Sequence, residues 1–94
     1  MQLEFGPTYV LTKGLICSKL NAAGDIEDGT DPSLPEGTRF VALDRYDRWP
    51  YSTKLKDWLP DSEYYSIKLE DPFDGRDMYE ALAHRLEQDS RLAD

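Results

Sequence analysis

The sequence predicts an α+β fold: a small antiparallel sheet of about four strands with one C-terminal amphipathic helix packed on it. Two observations predict this class. Short runs rich in β-branched and aromatic residues fill the first part of the chain, and apolar residues at helical spacing fill its end. A chain of 94 residues has room for one modest core, so residues 1–94 are predicted to form a single domain.

The predicted strands come first in the chain. Residues 8–12 and 15–17 are apolar and β-branched, and they fit either two short strands joined by a tight turn or one strand with a bulge at Gly14. Three glycines and two prolines then predict a long acidic loop at 21–37 without regular structure. A central strand is predicted over 38–44, which is apolar on both faces, and a half-buried strand over 65–69.

The C-terminal helix is predicted at about 74–92. Asp74 is a suitable N-cap, and Asp77 three residues later resembles a capping box. Met78, Leu82 and Leu86 form an apolar stripe at helical spacing. The stripe is narrow and several aromatic residues are left over, which leaves room for a homodimer.

Charge is the feature that bears most on function. Lys and Arg total 11 against 19 Asp and Glu, a net charge of −8. Residues 25–38 hold 5 acids and no base, residues 57–80 have a balance of −6, and residues 39–56 between them have a balance of +3. Direct binding to nucleic acid or to an anionic membrane needs clustered bases, so both are excluded. A protein partner with a basic or nucleic-acid-binding surface is predicted instead.

Aromatic residues at 46–65 alternate with the basic side chains of the central segment, and Trp, Tyr and Arg are the types enriched at binding hot spots. Some of these aromatic residues are expected to complete the core, and Trp49, followed by Pro50, is expected at the surface. The predicted partner-binding residues are Asp25, Glu27, Asp28, Asp31, Glu36, Arg45, Arg48, Trp49, Tyr51, Asp61 and Glu63.

The chain has few of the side chains that catalysis and metal binding commonly require. The chain has one histidine, His84, and one cysteine, Cys17, which is fewer than a zinc site needs. His84 is expected on the surface and Cys17 as a buried inert thiol. No phosphate-binding or dinucleotide motif occurs, so no cofactor, metal or catalytic residue is predicted. A single thiol and the lack of a signal-peptide pattern predict a cytoplasmic protein.

These features predict a non-catalytic acidic protein-binding module. A stoichiometric inhibitor that imitates nucleic acid on a partner, as a phage or mobile-element product acting against host defence, fits its size and charge. Two alternatives stay open. Residues 37–43, Trp49, Tyr51 and residues 64–69 weakly resemble the strand and aromatic spacing of SH3-like or Tudor-like barrels, which implies an adaptor with an aromatic binding surface. The other alternative is a small enzyme that relies on carboxylates.

Overall fold

The computed structural model describes residues 2–27, 31–48, 51–52, 57–58 and 62–93, with backbone alone at 48, 51–52 and 57–58. Ten strands and one helix lie within these residues. The strands are β1 Thr8–Leu11, β2 Leu15–Ile16, β3 Ser18–Lys19, β4 Ser33–Leu34, β5 Arg39–Arg48, β6 Tyr51–Ser52, β7 Asp57–Trp58, β8 Ser62–Phe73, β9 Arg76–Leu82 and β10 Ser90–Leu92, and the helix is α1 Ala83–Gln88.

One antiparallel sheet dominates the structure, so the predicted class holds in outline. Its order is β10-β1-β5-β8-β9-β3, which makes six strands rather than the predicted four. Two smaller antiparallel ribbons pair β2 with β4 and β6 with β7. No helix within the described ranges has the length and apolar composition that crossing a bilayer requires.

The two central strands follow the predicted patterns and extend beyond them. β5 lies between β1 and β8, as expected for an interior strand, but Leu43 is exposed because the register shifts between Ala42 and Asp44. In β8, Tyr65, Ile67 and Leu69 are buried in strict alternation. β8 continues through Pro72, past the predicted end of the strand. Its pairing with β9 is irregular between residues 68 and 73. Pro72 lies in this irregular stretch, so its missing N–H does not remove a hydrogen bond from a regular ladder.

The predicted helix at 74–92 is wrong over most of its length. Asp74 and Gly75 form a two-residue turn with φ values of 52° and 78°, and Phe73 pairs with Arg76 across it. Such positive φ values at both positions match the twist of a β-hairpin, so the chain reverses into β9. Only residues 83–88 are helical, and residues 90–92 return to the sheet beside β1.

The predicted loop at 21–37 contains an ordered piece of β-structure. Leu34 in β4 pairs with Leu15 in β2, and its side chain is 0% exposed. Residues 8–17 form two short strands, which is one of the two predicted arrangements, but β1 pairs with β5 and β10 and β2 pairs with β4 instead of with each other. Burial of Leu34 explains why a segment with three glycines and two prolines is still anchored to the domain.

The core lies on one face of the large sheet. Side chains from β1, β5, β8 and β9 form it together with the ribbon β2–β4 and helix α1. Its members are Leu3, Tyr9, Leu11, Leu15, Cys17, Leu34, Phe40, Ala42, Tyr65, Ile67, Leu69, Tyr79, Ala81, Ala83 and Leu86. The opposite face carries mixed polar and apolar side chains, including the buried Glu80, which accepts a hydrogen bond from the Tyr46 hydroxyl at 2.5 Å.

Candidate functional site

The middle of the acidic loop is held against the large sheet. Arg76 at the start of β9 donates two hydrogen bonds to Glu27, from Nε to Oε2 at 2.7 Å and from Nη2 to Oε1 at 2.9 Å. These bonds raise the pKa of Arg76. The backbone adds to the attachment, because Leu20 N donates to Met78 O and Glu27 N donates to Lys19 O. Glu27 therefore serves the fold of the loop and is not a free acid for a partner.

The other acids of the loop face solvent. Asp25, Asp31 and Glu36 are exposed, and Asp31 accepts a long hydrogen bond of 3.4 Å from Ser18 Oγ. None of the three forms an ion pair with a base in the part of the chain that the structure describes. These three predicted binding residues keep their negative charge available at the surface.

A second group of predicted residues meets at the joint between β5, β8 and α1. Arg45 forms ion pairs with Glu63 and, at 3.4 Å, with Glu87. Its guanidinium lies 5.5 Å from the centroid of the Tyr65 ring, within reach of a cation–π contact. The structure thus brings together Arg45 and Glu63, both predicted from the sequence, and adds Glu87, which was not predicted.

Tyr65 connects this cluster to the core. Its buried hydroxyl accepts a hydrogen bond from Leu3 N at 3.0 Å and donates one to Glu87 Oε2 at 2.6 Å. Burial and the bond to Glu87 raise the pKa of Tyr65. Because the bond to Glu87 needs the hydroxyl proton, the neutral Tyr65 orients Glu87 and, through it, Arg45.

An open depression with a volume of about 420 Å³ adjoins the cluster. It is lined by Arg45, Asp47, Ser62, Glu63, Ala83, His84 and Glu87. Asp47 and Glu63 are directly opposite each other in the ladder between β5 and β8. With three carboxylates and one guanidinium, this depression presents net negative charge and suits a cationic group better than an anionic one.

Cys17 lies in the core as expected. It is 2% exposed, and burial together with the nearby Asp31 raises the pKa of its thiol to about 12. The thiol is therefore protonated and shielded at neutral pH. His84 is exposed on α1, as predicted.

The remaining predicted binding residues cannot be assigned to this surface. Asp28, Trp49 and Asp61 lie outside the described residues, and Arg48 and Tyr51 are described by their backbone in β5 and β6. Within the described ranges, no group of three or more His, Cys, Asp or Glu side chains is arranged to hold a metal ion.

Comparisons with known proteins give no assignment. No family model, curated protein or solved structure matches this chain. The function must therefore be argued from the charges and contacts themselves.

The loop attachment gives a direct test of the Arg76–Glu27 pair. We expect Arg76→Gln to increase hydrogen exchange at the Glu27 amide, because the loop loses its only described side-chain ion pair to β9. Arg39→Gln is the matched control, since it breaks an exposed ion pair with Glu70 on the same sheet without touching the loop. Equal exchange rates at Glu27 in both variants, measured by NMR, would show that the ion pair with Arg76 does not help to hold this part of the loop.

Proposed function

We propose that this protein is a non-catalytic, acidic protein-binding module that engages a basic, nucleic-acid-binding surface of a partner protein. A stoichiometric inhibitor of the phage or mobile-element anti-defence type is the role that fits this chemistry. Its carboxylates would occupy positions on the partner that phosphates otherwise take.

The observation that carries the proposal is that basic side chains of this chain form ion pairs with its own acidic side chains. Lys19, Arg39, Arg45, Arg76 and Arg85 all form ion pairs with acidic side chains of the same chain. The surplus acids are left exposed, and among the described residues they include Asp25, Asp31, Glu36, Asp44, Asp47 and Asp71. The internal pairs therefore neutralise these five bases. The exposed carboxylates outnumber Lys13 and Lys68, which are also exposed, so carboxylates dominate the surface field.

Such a field acts mainly on encounter and on choice of partner. Complementary charge accelerates association and disfavours partners of like charge, while it contributes less to the lifetime of the complex. The effect weakens with salt because the Debye length falls from about 10 Å at 0.1 M to about 3 Å at 1 M. An inhibitor that must find its target before nucleic acid does would benefit from this rate effect.

We expect Asp25→Asn with Asp31→Asn to slow association with a captured basic partner by about threefold or more at about 50 mM salt, with little change in stability. The partner is first captured from host lysate at about 50 and 300 mM salt and identified by mass spectrometry. Gln2→Lys with Gln88→Lys is the matched control, because it gives the same net charge at exposed positions outside the loop.

Three results would count against the proposal. Equal slowing by both double variants would assign the effect to net charge and remove the loop from the interface. Capture that is insensitive to salt would favour an apolar interface instead. Capture of no basic protein at either salt concentration would contradict the function itself.

The strand connectivity favours a second candidate, an adaptor built on an SH3-like or Tudor-like barrel. β1, β5, β8 and β9 are successive neighbours, and β10 follows α1 and returns to pair with β1. A meander whose last strand returns to its first is typical of small barrels, which is the architecture that the sequence resemblance implies. Partner capture that survives high salt is the result that would favour this candidate.

A further inference from the structure

A second surface feature lies at the other end of β8 from the Arg45 cluster. It is a groove with a volume of about 290 Å³ between the turn at 35–38 and the end of β8. Its lining consists of Pro35, Glu36, Gly37, Thr38, Arg39, Glu70, Asp71, Pro72 and Phe73. We infer that this groove receives one long basic side chain, Arg or Lys, of the partner protein. This inference rests on the proposed function and names the chemistry of one contact in it.

The size and lining of the groove limit the occupant. The groove's volume of about 290 Å³ lies at the small end of the range of about 300–1,000 Å³ that ligand pockets span, and it has room for one long side chain. The lining includes the apolar side chains of Pro35, Pro72 and Phe73, the last of which packs against the core. Carboxylates stand beside these apolar groups, so the groove offers both apolar contact and negative charge to the same side chain.

The first wall is fixed by the backbone. Gly37 N donates to Leu11 O at 2.8 Å, and Leu11 N donates to Thr38 O at 2.9 Å, which ties the turn to β1. The Thr38 hydroxyl also donates to Pro35 O at 2.7 Å. Gly37 has a φ of 90°, a conformation that favours glycine and sets the sharp turn. Glu36 is therefore presented on a preformed support.

The second wall is fixed by the hairpin between β8 and β9. Tyr79, whose ring is buried, donates a hydrogen bond from its hydroxyl to Phe73 O at 2.5 Å. The turn at Asp74 and Gly75 closes the hairpin directly after Phe73. Both walls are thus held by contacts inside the domain, and a ligand would have little ordering entropy to overcome.

The charges in the groove do not balance. Arg39 Nε donates to Glu70 Oε2 at 2.9 Å, which neutralises one of the three carboxylates. Glu36 and Asp71 are exposed, and neither forms an ion pair with a base among the residues that the structure describes. The groove therefore carries a net charge of −2, from three acids and one base.

A long basic side chain satisfies both properties at once. Lys and Arg place an apolar stem on apolar surface while their charged head reaches polar groups. In this groove the stem would contact Pro35, Pro72 and Phe73, and the head would approach Glu36 and Asp71. An acidic side chain would be repelled, and an apolar one would shield carboxylates from water without pairing them.

The test uses a short peptide, acetyl-Gly-Arg-Gly-amide, titrated into the full chain and followed by NMR at low salt. We expect amide shifts to concentrate at 36–39 and 70–71, with a dissociation constant of about 1 mM, as is usual for one side chain. The peptide with citrulline in place of Arg keeps the shape without the charge and should bind at least about fivefold more weakly. The peptide with diaminopropionic acid keeps the charge without the stem and should also bind more weakly.

Two variants of equal net charge distinguish the effect of the carboxylates at the groove from the effect of the overall negative charge of the protein. Glu36→Gln with Asp71→Asn should weaken binding of the Arg peptide about fivefold or more, because it removes the two carboxylates at the groove. Asp25→Asn with Asp31→Asn should weaken it less than about twofold, since neither of these acids lines the groove. Equal weakening in both variants, or shifts spread over all acidic segments, would overturn the inference.

Failure here is distinguishable from failure of the proposed function. One outcome is that the peptide fails to bind in the groove while Asp25→Asn with Asp31→Asn still slows association with the captured basic partner. That result would contradict the groove assignment and support the acidic protein-binding module. If the peptide occupies the groove but no basic protein is captured from lysate, the groove chemistry is supported and the proposed function is contradicted.

Discussion

Leu34→Ala is expected to lower the free energy of unfolding by about 3 kcal/mol. Large-to-small substitutions at fully buried leucines remove transfer free energy and leave a cavity that neighbours fill only in part. Leu34 is 0% exposed and pairs with Leu15 through the ribbon β2–β4, so its side chain packs the long loop segment against the core. The measurement is urea denaturation at constant slope, read as a shift of the midpoint.

Ile16→Ala is the matched control for this change. Ile16 lies in the same ribbon, opposite Ser33, but its side chain is 70% exposed. Removing an exposed side chain should change stability by less than about 0.5 kcal/mol. Similar losses in the two variants would mean that Leu34 is not packed as described, and that the ribbon contributes through its backbone bonds alone.

The contrast between Leu34 and its surroundings shows where sequence reasoning stops. Glycine and proline correctly indicate turns at 21–37, but they carry no information on which loop residue reaches the core. By contrast, β5 and β8 are predictable because alternation of apolar residues directly reflects the two faces of a strand. The sequence also indicates the burial of Cys17, because apolar residues precede it in a strand pattern.

The error at 74–92 has a definite physical origin. Met78, Leu82 and Leu86 lie at helical spacing, but in the structure only Leu86 is fully buried. The competing signal was Asp74-Gly75, since Asp-Gly between β-compatible segments favours a two-residue hairpin turn. Pairing with β8 buries Tyr79 and Ala81 on the core face of the sheet, and this tertiary gain outweighs the local helical preference.

The candidate site could be predicted only as a set of residue types. That Arg45 meets Glu63 follows from the register of β5 against β8, which composition does not encode. The Glu27–Arg76 pair joins residues 49 apart in sequence, and its existence removes one acid from the predicted binding set. Long-range pairs of this kind depend on topology, so charge counts overestimate how many acids are free.

The second large effect is expected at Tyr65. Tyr65→Phe should lower the free energy of unfolding by about 2–3 kcal/mol at neutral pH, because the buried Leu3 N–H loses its acceptor and Glu87 loses a donor. Tyr9→Phe is the matched control. Tyr9 is also buried and its hydroxyl also accepts a backbone N–H, but that amide belongs to the exposed Glu4 and can bond to water instead.

Tyr9→Phe should lower the free energy of unfolding by less than about 1 kcal/mol, again measured by urea denaturation. Equal costs for Tyr65→Phe and Tyr9→Phe would contradict the assignment of Tyr65 as the residue that joins the core to the charged cluster. If Tyr65→Phe lowers the free energy of unfolding by the expected amount but leaves the NMR shifts of Glu87 unchanged, the lost bond to Leu3 alone accounts for the lower stability.

The pH dependence of this difference is a stricter test of the same network. The native pKa of Tyr65 is raised above its ordinary value of about 10, so above pH 10 the unfolded chain loses this proton while the native protein retains it. The unfolded state then binds fewer protons, and stability falls as pH rises. Phenylalanine has no proton to lose, so the gap between the wild type and Tyr65→Phe should narrow between about pH 10 and the raised native pKa. A gap that stays constant over that range would mean that the hydroxyl titrates normally and does not depend on Glu87.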